Sequence, residues 1–279
     1  MVEIGKINRL TIIRQLDYGT QLNDSESEIV LLAKKDSPPN CRPGDKLEVF
    51  VYEDREKHLL ATTRMPYATV GQFAKLRVVA NSSSGAYLDW GMQKDLLVPK
   101  SEQQARMEIG KSYIVFVFLD KKTNRITAST KLDKFFSPHP PDYQEGEEVR
   151  LIIFTKTDLG YKAIINHSHQ GIVYKNEIFQ TLHIGQRLKG YVKKIREDQK
   201  TDLTLQPSGY QRVDDVSQDI LKTIKDLGGR IAVTDKSRPE EIYSLFGVSK
   251  KTFKRAIGAL YKRRLVTLEK DGIKLRAVK

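Results

Sequence analysis

The chain has 279 residues, of which 39% are hydrophobic and 30% are charged, and this composition excludes a disordered chain. The length favours two to four domains, because single hydrophobic cores rarely grow beyond roughly 250–300 residues. The 48 Lys and Arg residues exceed the 35 Asp and Glu residues, and the net charge of +13 indicates a polyanionic partner unless the protein is merely basic. The single cysteine, Cys41, excludes an intrachain disulfide and a metal site built from four thiolates.

A triplet of glycines recurs three times along the first two thirds of the chain. In each triplet the second glycine follows the first by 14 residues, and the third follows the second by 25 residues. The triplets are Gly5, Gly19 and Gly44; Gly71, Gly85 and Gly110; and Gly146, Gly160 and Gly185. Because the chain has only 18 glycines, this repetition indicates three tandem copies of one structural module.

Short β-rich runs stand at matching places in the three modules. The run after the third glycine covers residues 46–52, 112–118 and 187–193, and a closing run follows at 59–63, 125–129 and 202–206. Five short strands with glycine punctuation in so small a unit favour a closed OB-type barrel, which hides most sheet edges. We therefore predict a mainly β chain with five-stranded OB-type barrels at residues 1–66, 67–137 and 144–210.

A proline-rich segment separates the second and third modules. Residues 135–141 read Phe-Phe-Ser-Pro-His-Pro-Pro and lengthen the 66-residue step between modules by nine residues. Proline-rich linkers act as semi-rigid spacers. We therefore expect the modules to form two halves, residues 1–135 and 144–279.

The pattern changes from strands to helices after Gly209. Val216, Ile220 and Ile224 recur at helical spacing, and residues 239–246 form a second helix with a proline in its first turn. Ser249 is a candidate N-cap for a third helix. Two β-rich runs then flank Asp271-Gly272, a turn typical of hairpins. These elements predict an α+β winged-helix domain at residues 212–279.

Positive charge is concentrated toward the C-terminal part of the chain. The net charge is zero over residues 5–66, +5 over 70–135, +3 over 146–210 and +7 over 214–279. The predicted third helix and its end contain no acid, and its candidate phosphate contacts are Lys250, Lys251, Lys254, Arg255, Lys262 and Arg263. A basic helix face that is merely solvated is the alternative. The first module should contribute least to binding a polyanion.

The second module resembles the ribosomal S-one RNA-binding motif, through Gly85–Asp89, Leu96–Ser101, Ile109–Lys111 and Arg125–Ser129. The third module matches through Gly160-Tyr161 and Gly171–Tyr174, and the first keeps the fewest motif residues. Three such modules before a winged helix are similar to the conserved virulence factor B (CvfB, YitL-like) family of bacteria. The resemblance implies five-stranded OB folds that bind single-stranded RNA.

The resemblance also implies which side chains contact RNA. They are Tyr18, Tyr87, Tyr161 and Tyr174 around the second glycine and the third strand, with Lys175 beside the last of them, and Arg125 after the charged turn. His58 and Asp202 do not obviously replace Arg125 in the other modules. Separately, strand alternation places Arg187, Lys189, Tyr191 and Lys193 on one face of the third module, opposite Leu188 and Val192. A half-buried barrel residue is the alternative for each tyrosine.

No catalytic constellation or nucleotide-binding motif is present in the sequence, so we expect neither an enzyme nor a cofactor. His167 and His169 are spaced like two ligands on one strand face, but a metal site is not expected there. The absence of a long apolar run predicts a cytoplasmic protein. We expect a monomer that binds single-stranded RNA and regulates gene expression after transcription. A DNA-binding transcription regulator and a protein-interaction scaffold are the alternatives.

Overall fold

The computed structural model describes residues 1–24, 28–54, 56–175, 178, 181–206 and 211–276, the side chains of 211–215 excepted. The chain forms two compact units, Met1–Phe136 and Ser137–Lys279. Within the described ranges, every helix is too short or too polar to cross a membrane.

The first five strands form a closed barrel of order β1-β2-β3-β5-β4. They are β1 (Ile7–Leu16), β2 (Gly19–Asn23), β3 (Val30–Ala33), β4 (Lys46–Glu53) and β5 (Leu59–Thr62). Parallel pairing of β3 with β5 closes the barrel. Leu10 and Ile12 alternate with more exposed residues and fill its core, as the period-2 pattern predicts.

The next five strands form a sheet of order β10-β9-β6-β7-β8. They are β6 (Phe73–Asn81), β7 (Gly85–Asp89), β8 (Leu96–Pro99), β9 (Ser112–Leu119) and β10 (Ile126–Ser129). Among the described residues β8 and β10 share no backbone ladder, so the expected closed barrel is open at this seam. Bonds to the Glu102 carbonyl oxygen from Thr130 N (3.0 Å) and Ser129 Oγ (3.3 Å) bridge the adjoining loops instead.

The third set repeats the closed order, β11-β12-β13-β15-β14. Its strands are β11 (Glu148–Lys156), β12 (Gly160–Ile165), β13 (His169–Tyr174), β14 (Arg187–Ile195) and β15 (Thr201–Thr204). Gly160 needs to be glycine because a Cβ there would collide with the carbonyl oxygen of Val173. Gly185, with φ +85°, occupies a left-handed turn conformation that disfavours other residues. The repeated glycines thus serve a close approach and a turn.

The first two barrels pack against each other inside the first unit. Phe50 of β4 is fully buried and belongs to the hydrophobic core of the second barrel rather than the first. Its ring meets Trp90 edge-on, with centroids 5.7 Å apart. The Gly5 carbonyl accepts a 2.8 Å bond from Val70 N beside this contact. The first barrel is therefore a packing partner of the second.

The two ends of the proline-rich segment each contact their own unit. Phe135 stacks on Phe116 of β9 with centroids 4.3 Å apart. In the second unit, Ser137 N donates a 2.8 Å bond to Ser168 O, and the Tyr143 hydroxyl lies 2.9 Å from Nδ1 of His169. Contacts within each unit thus hold the two ends of the segment, and the division between the units falls inside it, after Phe136.

The last elements form the predicted winged helix. They are α1 (Gln211–Asp226), β16 (Arg230–Ile231), α2 (Pro239–Phe246), α3 (Lys250–Lys262), β17 (Val266–Glu269) and β18 (Gly272–Leu275). Ser249 caps α3 by accepting a 3.1 Å bond from Thr252 N. Gly272 pairs with Glu269, so the two-residue turn is Lys270-Asp271 and not Asp271-Gly272. Gly272 lets β16 approach closely, because a Cβ there would meet Ile231 O.

Candidate nucleic-acid interface

Strands β11 and β14 carry basic side chains on the outer face of the third barrel. Lys189 lies opposite Arg150 in the antiparallel register. Arg187, the first residue of β14, lies two residues before Lys189 and on the same face. All three side chains are exposed, and the half-buried ring of Tyr191 follows on the same face, whereas Val192 is buried. We call Arg150, Arg187, Lys189 and Tyr191 the barrel patch. Its cations and aromatic ring lie side by side.

One acid, Glu148, lies within hydrogen-bonding distance of the barrel patch. Its Oε1 is 2.7 Å from the Lys189 ammonium, and its Oε2 accepts a 3.3 Å bond from the Tyr191 hydroxyl. The hydrogen bond and charge of Lys189 hold the Glu148 pKa below its ordinary value, and those of Glu148 raise the pKa of Lys189. A phosphate must compete with Glu148 at Lys189, so Arg150 and Arg187 are the better phosphate contacts.

Lys193 does not simply continue the barrel patch. The pairing of β14 with β15 shifts register between Val192 and Lys194, which is a β-bulge. Lys193 and Lys194 are consequently both exposed. The alternation predicted from the sequence holds from Arg187 to Val192 and ends at the bulge.

His167 lies in the β12–β13 turn, close to the two arginines of the barrel patch. Burial lowers its pKa below the ordinary value, and the charges of Arg187 and Arg150 lower it further. The unfolded chain therefore binds more protons at this residue than the folded protein does. Stability should consequently fall as the pH drops below about 6.5, the value for an unperturbed histidine.

We expect His167→Asn to remove this pH-dependent loss of stability, since asparagine tolerates the left-handed backbone at this turn (φ +57°). Thermal melts of both proteins from pH 5 to pH 8.5 test the expectation. At alkaline pH the imidazole is neutral in both states, which supplies the internal reference. A difference between the two melting curves that stays constant across the pH range would contradict the assignment.

Tyr174, at the end of β13, is already in contact with a cation. The Arg196 guanidinium carbon lies 5.6 Å from the ring centroid, and the same group donates to the Tyr174 hydroxyl. Arg196 also pairs with Asp202 at 2.9 Å. Lys175, the next predicted contact, is exposed. One face of the Tyr174 ring is thus covered, and Arg196 is a site residue that sequence reasoning missed because it lies 22 positions away.

Two of the predicted tyrosines point in different directions: Tyr161 faces the core of the third barrel, and Tyr87 faces outward from the second barrel. Tyr161 pairs with the buried Val173 and packs on the third core, so its ring is withdrawn from the outer face. Tyr87 is half-buried and alternates with the buried Leu88, which places it on the outer face of the second barrel. Lys162 holds the corresponding outer position in the third barrel. Tyr161 is nevertheless only half-buried, and its contact with RNA stays a prediction.

A backbone hydrogen bond closes the turn before the last strand of each barrel. Its donor and acceptor residues are Asp54 and His58, Asp120 and Arg125, and Arg196 and Lys200. Lys200, not Asp202, therefore occupies the place of Arg125 in the third barrel. Both are exposed cations, and Lys200 pairs with Asp198 at 2.7 Å. His58 in the first barrel lies near two acids, 3.2 Å from Asp54 and 3.6 Å from Glu56. This acidic surrounding disfavours phosphate at the first barrel.

A cleft of about 390 Å³ opens beside the β6–β7 turn of the second barrel. Lys100 and Arg106 line it together with the amides of Asn81 and Gln103, and both cations are exposed. The sequence motif gave no indication of Arg106, because it lies in the loop between β8 and β9. These cations add positive charge to the second barrel.

The exposed side of α3 is a second basic surface. Phe253, Ala256, Ile257 and Leu260 are buried on one side of the helix. The opposite side carries the exposed Lys251, Lys254, Arg255 and Lys262, Arg263 follows at the cap, and the half-buried Lys250 lies at the edge of this surface. An acid does approach from outside the helix, since Asp235 lies 3.5 Å from Lys254. Because Lys254 is still 68% exposed, this ion pair leaves it accessible to solvent.

Comparison with protein families assigns these domains. The profile described as S1 domain matches residues 4–64 and 70–131, and the profile described as CvfB-like winged helix domain matches residues 218–275. The chain contains two S1 domains and a CvfB-like winged helix. The predicted resemblance to the CvfB family is confirmed, and the first barrel is an S1 domain despite keeping the fewest motif residues. Both are families of nucleic-acid-binding domains.

Relatives extend the similarity beyond the CvfB-like winged helix. Conserved virulence factor B of Staphylococcus saprophyticus is 26% identical over 283 residues, covering 98% of this chain and 94% of that protein. The Staphylococcus epidermidis protein of the same name is 27% identical over 241 residues, covering 83% and 80%. A crystal structure of a Streptococcus pneumoniae multidomain protein with nucleic acid binding domains is 24% identical, covers 98% of both chains and has a TM-score of 0.39.

Proposed function

We propose that this protein binds single-stranded RNA in the cytoplasm as a monomer and regulates gene expression after transcription. The observation that carries the proposal is the pairing of two basic surfaces, the barrel patch and the exposed side of α3, in one compact unit. Phosphate neutralisation by Lys and Arg supplies sequence-independent affinity. The Tyr191 ring, two residues from Lys189 on the outer face of the third barrel, supplies a platform on which an unpaired base stacks.

The first unit has a smaller part in this proposal. Tyr87 and Arg125 lie in its second barrel, which also carries the exposed cations Lys100 and Arg106. The first barrel has zero net charge over residues 5–66 and an acidic turn, so its packing against the second barrel is its main contribution. We expect no catalytic step, because the described polar clusters bring together phosphate-binding cations and not a nucleophile with a base.

Nitrocellulose filter binding of the full chain tests the preference for single strands. We expect tighter binding of a labelled single-stranded RNA than of a duplex DNA of matching sequence, and affinity that falls steeply as salt is raised. Tyr191→Ala should weaken RNA binding by roughly 5- to 100-fold, since stacking of one base contributes about 1–3 kcal/mol. Tyr191→Phe keeps the ring and serves as the matched control.

Equal or tighter binding to duplex DNA would overturn the RNA preference. It would favour the second candidate, a transcription regulator, because the exposed side of α3 also has the shape and charge that a winged helix presents to a major groove. Failure to bind either nucleic acid at low salt would favour a protein-interaction scaffold. If Tyr191→Ala and Tyr191→Phe bind RNA alike, stacking at the barrel patch is excluded.

A further inference from the structure

Gly258 stands in the middle of α3, where glycine is a poor choice. Glycine is the least favourable residue for a helix interior after proline. Helical glycines are usually explained by a neighbour that leaves no room for a side chain. Here a Cβ built on Gly258 meets nothing within 4 Å outside the adjoining backbone, so the space above it is open. Within the described residues, packing offers no reason for this glycine.

The side chains around Gly258 indicate a binding role for the open space. On a helix surface, the neighbours of a residue lie three and four positions away in each direction. For Gly258 these are Lys254, Arg255, Tyr261 and Lys262, and all four side chains are exposed. Tyr261 keeps 55% of its surface accessible although it is a large aromatic residue. Gly258 is therefore the floor of a notch with three cations and one aromatic ring at its rim.

We propose that Gly258 is the point at which the sugar-phosphate backbone of the bound nucleic acid lies against α3. This inference rests on the proposed function and adds the place and manner of contact. Lys254, Arg255 and Lys262 reach phosphate oxygens on either side of the notch. The missing side chain lets the strand touch the helix backbone, and the Tyr261 ring covers a sugar or base. The pair between Lys254 and Asp235 exchanges for a phosphate contact.

Filling the notch with a side chain should stabilise the fold and at the same time weaken RNA binding. Gly258→Ala should raise the melting temperature of the full chain by roughly 4 °C, since alanine is the best helix former and meets no clash. The same change should weaken RNA binding about threefold, and Gly258→Leu should weaken it by about tenfold or more. Melting curves and filter binding on the same preparations measure both quantities.

Ser244→Ala is the matched control, because Ser244 is exposed in α2 and gains helix propensity without lying near the notch. It should raise stability slightly and leave binding unchanged. Binding by Gly258→Leu that equals the original protein would overturn the notch proposal. If binding also survives Lys254→Glu/Arg255→Glu, α3 is outside the interface and the proposed role of the winged helix fails. If Lys254→Glu/Arg255→Glu loses RNA binding and Gly258→Leu keeps it, α3 belongs to the interface but the notch does not.

Discussion

Reversing two charges on α3, with Lys254→Glu and Arg255→Glu together, should weaken RNA binding by about tenfold or more at moderate salt. The two side chains are exposed neighbours on a helix face that contributes no acid of its own. If each contacts one phosphate, the slope of log affinity against log salt should become shallower by roughly 1.4 to 1.8. Filter binding at four or more salt concentrations measures both effects.

The control for this variant must change the net charge equally at another place. Arg9→Glu with Lys46→Glu does so, because both side chains are exposed on the first barrel. We expect this pair to reduce affinity far less than the α3 pair does. Equal losses from the two variants would mean that net charge alone governs binding and that α3 makes no specific contact. The fold should tolerate both variants, since exposed ion pairs contribute little to stability.

Replacing Phe50 with alanine should destabilise the first unit by about 3–5 kcal/mol, the cost typical of removing a buried phenylalanine. Phe50 has no exposed surface and lies inside the core of the neighbouring barrel, against Trp90. Its loss would leave a cavity at the contact between the two barrels. Urea unfolding followed by the fluorescence of Trp90, the only tryptophan in the chain, measures the effect.

Ile7→Ala is a suitable control for Phe50→Ala, because Ile7 pairs with Phe50 across the strands but is 48% exposed. We expect it to cost well under half as much stability. RNA binding at a temperature where both variants are folded should change little, since the barrel patch and α3 belong to the second unit. A Phe50→Ala variant as stable as the original would show that the two barrels do not depend on this contact.

The two basic surfaces differ in how their cations are held. Lys189 of the barrel patch is engaged by Glu148, and Arg196 after the end of β14 bridges Tyr174 and Asp202. A phosphate must displace these carboxylates before it reaches Lys189 or Arg196. On α3 an acid approaches Lys254 less closely, since Asp235 lies 3.5 Å away. We therefore expect binding at α3 to depend more steeply on salt than binding at the barrel patch.

The sequence by itself determined the architecture of this protein. The glycine triplets mark a close backbone approach and a left-handed turn, as at Gly160 and Gly185, and both requirements recur at fixed spacing in each barrel. The helices of the C-terminal domain followed from local periodicity and the Ser249 cap. The cationic side of α3 was equally readable, because neighbours on a helix are fixed by positions three and four residues apart.

Only the tertiary structure decided which side chains are available for binding. Tyr161 turned inward because its cross-strand partner is a core residue, and the bulge after Val192 ended an alternation that looked regular in sequence. Glu148 reached Lys189 from a strand 41 positions earlier. The open space above Gly258 likewise depends on the tertiary structure, which brings no other segment within 4 Å of a Cβ at this position. Such facts depend on strand register and on contacts between distant segments, which local sequence patterns do not specify.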